Sequence, residues 1–181
     1  MAKTQSKSQP KWTDVKARLA SLDHAQLTSL VHDLYTAHKD NQAFLHARFG
    51  LIDVLATYKE TIQRWVCPDI FRKQDTSVPK AKQALAEYKQ AVGDPAGIAE
   101  LLVFYCESAS AFCTGIVNDD WSYLSVFLRR FEQALKAANQ LPDSDRAALL
   151  TRLDKVRSRS QRLSYGIGEA MDENLAKYAK R

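Results

Sequence analysis

The stretch from Asp94 to Val117, DPAGIAELLVFYCESASAFCTGIV, is the most apolar in the chain and constrains everything around it. Wound at about 100° per residue, it places Ile98, Leu101, Leu102, Tyr105, Ala109, Phe112 and Ile116 on one side, and Ala99, Cys106 and Cys113 widen that side. Only a narrow polar strip is left: Glu100, Glu107, Ser110 and Thr114, interrupted by Val103 and Ala111. Roughly two thirds of the circumference therefore seeks burial, which a helix obtains inside a bundle. Asp94 is placed to cap the free N–H groups of the first turn, and Pro95 at the first helical position gives up no hydrogen bond. Gly115 weakens the far end.

The rest of the chain supplies helices to surround it. Apolar residues recur at steps of three and four in Leu27, Leu30, Val31, Leu34, Tyr35 and His38, and again in Leu51, Val54, Leu55, Tyr58, Ile62 and Trp65. The same period runs through Ala81, Ala84, Leu85, Tyr88 and Val92, and through Trp121, Leu124, Phe127, Phe131, Leu135 and Ala138. Leu149, Leu150, Leu153, Val156 and Leu163 form a further stripe that YGIG at 165–168 breaks, and Met171, Leu175 and Tyr178 mark a weak last helix. Start signals fall at Thr13, at Asp23 with Gln26 in a capping box, at Asp40 or Asn41, at Ser77, at Asn118 or Asp119, and at Asp143 or Ser144. Pro68 stops one helix, and Ile70 and Phe71 are expected to anchor the connection after it. No alternating strand pattern exists. The expectation is an all-α fold of roughly seven to nine mostly antiparallel helices, an irregular bundle or short solenoid. Residues 12–181 form its single domain, behind a disordered basic tail over 1–11.

Composition excludes several classes. The three cysteines cannot all pair within one chain, and two sit in the apolar helix as small hydrophobes, so reduced thiols in a cytoplasmic protein are expected. The N-terminus has lysines but no apolar core, unlike a signal peptide. Glu100 and Glu107 interrupt the best membrane-spanning candidate, so membrane insertion is not expected.

The segment DLYTAHKDNQAFLHARF, Asp33 to Phe49, resembles a bacterial family of small all-helical domains of unknown function. Its strongest part is DNQAFLHARF, Asp40 to Phe49, and the likeness runs from about Trp12 to Glu173. The resemblance implies an all-α bacterial cytoplasmic protein and brings no catalytic residues with it.

Candidate chemistry is sparse. The net charge of +5 is uneven: residues 1–20 carry +4, residues 21–128 carry −4, and residues 129–162 carry +5. Within the last block Arg152, Lys155, Arg159 and Arg162 recur on one helix face, with Arg157 nearby. That face can bind nucleic acid or another polyanion without reading sequence, helped by Lys3, Lys7 and Lys11, or it can simply be solvated. Glu100 and Glu107 are seven residues apart, so they stack. They are either a solvent-facing strip or paired carboxylates of a metal-dependent enzyme, although the Glu-x-x-His pairs of di-iron bundles are missing. Cys106 and Cys113 match no compact zinc spacing and are expected in the core, while Cys67 before Pro68 is an ordinary thiol. Among the four histidines, His24, His32, His38 and His46, no HExxH occurs, and His38 is expected as a hydrogen-bonded core residue. Gly166-Ile167-Gly168 begins a GxGxxG that Met171 breaks. No catalytic, cofactor-binding or metal-binding residues are assigned. The reading that best fits is a protein-interaction or scaffolding module whose partner is another protein.

Overall fold

The computed structural model describes residues 10–51, 53–116 and 119–178, all in helices and connections with no strand among them. The helices are α1 (Trp12–Leu19), α2 (His24–Ala37), α3 (Lys39–Arg48), α4 (Val54–Val66), α5 (Val78–Ala91), α6 (Pro95–Ile116), α7 (Trp121–Ala138), α8 (Asp143–Arg159) and α9 (Ile167–Tyr178), with a 3-10 turn over Ile70–Arg72. The expected all-α class is what the chain adopts. It divides into two compact units, Met1–Leu45 and His46–Arg181. The basic tail lies outside the described residues except for Pro10 and Lys11, both exposed.

In the first unit α2 starts as the sequence dictates. The Asp23 side chain accepts from the Gln26 N–H at 2.8 Å and the Gln26 side chain accepts from the Asp23 N–H at 2.9 Å, a reciprocal capping box. At the start of α1 the expected cap at Thr13 gives way to Lys11, whose N–H donates to Asp14 Oδ2 at 2.8 Å. Asn41 Nδ2 donates to the Leu34 carbonyl at 2.6 Å and fixes the turn from α2 into α3. No residue of α1 or α2 is buried.

In the second unit α6 is the axis. Twelve of its 22 residues are buried, and α4, α5, α7 and α8 all pack on it. Asp94 caps it through the Gly97 N–H at 2.8 Å. By length and composition α6 is the one described helix apolar enough to cross a membrane, yet 67% of that apolar window is buried inside the fold. Phe127, Phe131, Leu124 and Leu135 of α7 and Ile62 and Val66 of α4 fill the core beside Tyr105 and Leu101. Buried hydroxyls find partners within the core: Tyr123 donates to the Val66 carbonyl at the end of α4, and Ser160 donates to the Val156 carbonyl at 2.8 Å while facing Ser110 Oγ at 3.2 Å. Gly97 lets α5 approach, since a Cβ there would lie 1.8 Å from the Tyr88 hydroxyl.

Two expectations fail in this unit. The connection after Pro68 does not anchor on Ile70 and Phe71. The Asp69 carboxylate accepts from the N–H groups of Phe71 and Arg72, and the resulting turn leaves Phe71 93% exposed. The helix carrying the basic residues ends at Arg159, with Ser160 as its cap, so Arg162 and Leu163 lie in the turn beyond it.

Candidate functional site

From Glu100 to Ser110 the polar strip of α6 is covered rather than solvent-facing, while Ala111 and Thr114 beyond it are exposed. Val103 and Ser110 on that strip are fully buried, and Glu100 and Glu107 reach a cation on a neighbouring helix. Arg152 of α8 donates from Nε and Nη2 to the two oxygens of Glu107 at 2.8 and 2.7 Å, and from Nη1 and Nη2 to those of Glu100 at 2.5 and 3.1 Å. Lys59 of α4 adds a contact to Glu100 at 2.6 Å. Three helices are thereby tied by two carboxylates and two cations. Burial pushes the Glu100 carboxyl up, but the hydrogen bonds and charges of Arg152 and Lys59 outweigh it and hold the group below its ordinary range. Arg152 is held above its own range, chiefly by its bonds to Glu107, so it stays charged throughout.

This network decides how the sequence candidates divide. Every carboxylate oxygen of Glu100 and Glu107 already accepts from Arg152, and no cluster of three or more potential metal ligands exists among the described residues. A metal would have to displace the guanidinium. Arg152 is likewise removed from the basic face, because its charge is spent on the two glutamates. Arg157 bridges Asp154 and Asp172, both at 2.8 Å. Lys155, Arg159 and Arg162 are exposed, and Arg159 and Arg162 line a shallow cleft of about 370 Å³ that also holds Asp119. The four residues expected to share one basic face are thus not brought together as a single patch. Lys3 and Lys7 lie outside the described residues.

The cysteines behave as small hydrophobes. Cys106 and Cys113 are fully buried, and burial raises the Cys113 thiol to about 12. Cys67 is half-buried and its thiol is raised by the same desolvation, partly offset by Gln63. Such thiols are poor nucleophiles. His38, expected in the core, is instead exposed at the end of α2.

What the described surface offers in quantity is apolar. Along α2 the residues Leu27, Leu30, Val31 and Leu34 follow the i, i+3, i+4, i+7 spacing and are 37%, 37%, 44% and 53% exposed. Trp12 and Val15 of α1 are exposed as well. Sequence reasoning found this stripe but read it as core, because periodicity reports a wish for burial and not its fulfilment. Lys59 was missed altogether; the signal lay in its position one residue after Tyr58 on the edge of the α4 apolar face.

No family model matches this chain, and neither a curated protein nor a solved structure matches it.

Proposed function

We propose that this chain is a protein-interaction module, with the apolar stripe of α2 as its docking element and an apolar-faced helix of another protein as the partner. The supporting observation is that Leu27, Leu30, Val31 and Leu34 keep a helix-packing register while remaining exposed. Contiguous apolar surface of this kind costs free energy in water and marks interaction sites. Between His24 and Ala37 the only carboxylate is Asp33, and no Lys or Arg occurs. Recognition therefore rests on apolar burial and shape, as when an amphipathic helix lies in a groove. Membership of a bacterial helical family and a cytoplasmic location belong to the same proposal.

The test compares affinity capture by the wild type with capture by Leu30→Gln/Leu34→Gln. Both positions are exposed, so the variant should keep the wild-type melting transition. A protein retained by the wild type and lost by the variant supports the reading. Identical recovery from both, or none from either, removes it.

A further inference from the structure

We infer that the second unit binds a small organic anion, one anionic head on a short apolar body, in the cleft between α5, α6 and α7. This site is separate from the α2 stripe and does not depend on the interaction proposal. The cleft encloses about 320 Å³, at the lower end of the range for small-ligand sites. Its wall is apolar where α5 meets α6, at Leu85, Ile98 and Leu102, and three cations stand around it: Lys82 and Lys89 of α5 and Arg130 of α7. Among the described residues no carboxylate lines it. None of the three cations is ion-paired among the described residues, whereas Lys59, Arg152 and Arg157 elsewhere in the same unit each have an acid.

Arg130 gives the second, independent observation. Its Nη1 donates to Gln133 Oε1, also in the cleft wall, but its Nε–H is buried and has no hydrogen-bond partner. A buried guanidinium donor left unmade is costly, and buried polar groups are nearly always satisfied. An anion seated in the cleft meets Nη2 of the same guanidinium, which is not buried and makes no hydrogen bond among the described residues, and its charge offsets the cost of the unmade Nε–H. Lys82 and Lys89 lie seven residues apart on α5 and therefore on one face, where they compensate the same charge from the opposite side. The apolar wall has no use for an inorganic ion, which is why the ligand needs a body as well as a head.

Octanoate and octyl phosphate test the two head groups, with octanol and inorganic phosphate as probes lacking one half of the ligand. Each is titrated into the full chain at fixed ionic strength and followed by amide NMR shifts. The expected result is saturable binding of octanoate or octyl phosphate with shifts confined to α5, α6 and α7, and weaker binding of both half-probes. The tighter of the two octyl compounds identifies the head. Arg130→Gln should lower that affinity about tenfold or more, since a charge-assisted hydrogen bond is lost. Lys82→Gln/Lys89→Gln, at exposed positions that leave the fold intact, should lower it several-fold, and Arg159→Gln/Arg162→Gln should leave it unchanged. Absence of saturable binding by the wild type overturns the inference. So does full affinity in the Lys82→Gln/Lys89→Gln variant, or an equal loss in Arg159→Gln/Arg162→Gln, which would reduce the effect to overall charge.

Discussion

Arg152 on α8 grips Glu107 on α6 through two parallel hydrogen bonds, Nε to Oε1 at 2.8 Å and Nη2 to Oε2 at 2.7 Å, while the same guanidinium also holds Glu100. One guanidinium therefore bridges both acids on the most buried helix, and Lys59 supplies the second positive charge at Glu100. Removing Arg152 leaves Glu107 without a cation and Glu100 with Lys59 alone. Arg152→Ala is expected to destabilise by about 2–4 kcal/mol, near the lower end of the cost of breaking a buried pair. The triple variant Glu100→Gln/Glu107→Gln/Arg152→Met should recover most of that loss, because no charge is left unpaired except Lys59, which can extend to water. Chemical denaturation of the three proteins checks both statements, and a triple variant as unstable as Arg152→Ala would contradict the account.

The same pairing makes stability depend on pH in a defined direction. Glu100 has a folded-state pKa below its ordinary value of 4.5, so its contribution is fully present above that value and is lost as pH falls through the lower, folded value. Unfolding free energy measured from neutral to acidic pH should hold steady down to about pH 5 and decline below it. Glu100→Gln should flatten part of that decline.

Much of the fold was legible because its signals are local. Asp23 with Gln26 and Asp94 with Pro95 mark helix starts within four residues, and all of the α6 face residues from Leu101 to Phe112 are buried as their spacing requires. What depended on neighbours was not legible. Phe71 has the composition of an anchor, but the local Asp69 cap turns it outward. Glu100 and Glu107 have the spacing of a solvated strip, and only the arrival of α8 makes them structural. Leu163 continues the α8 period in sequence, whereas the backbone leaves the helix at Ser160, whose N–H bonds to both the Val156 and Arg157 carbonyls. The site suffered more than the fold, since a cation's freedom is decided by the acid it meets.

Close packing of α5 on α6 rests on one residue without a side chain. Gly97→Ala would set a Cβ 1.8 Å from the Tyr88 hydroxyl and 2.6 Å from its Cζ, and the buried Tyr88 ring would have to shift to admit it. A loss of about 1–3 kcal/mol is expected from this overpacking. Gly97→Ala in a Tyr88→Ala background should cost much less than in the wild type, and equal costs in thermal denaturation would show that the contact does not matter.

Thiol accessibility checks the core from another side. Under native conditions a neutral aromatic disulfide reagent should modify Cys67 alone, and slowly, because burial raises its thiol. Cys106 and Cys113, at no exposure, should react only on unfolding. Rapid native reaction of all three would contradict the position of α6.

The α2 stripe is tested most directly by contact in the cell. A photo-crosslinking benzoylphenylalanine placed at Leu30, within the stripe, is compared with the same group at Ser29, exposed on the same helix but outside the stripe. A discrete crosslinked protein is expected from position 30 and little from position 29. Equal products from the two positions, or none from position 30, would contradict it.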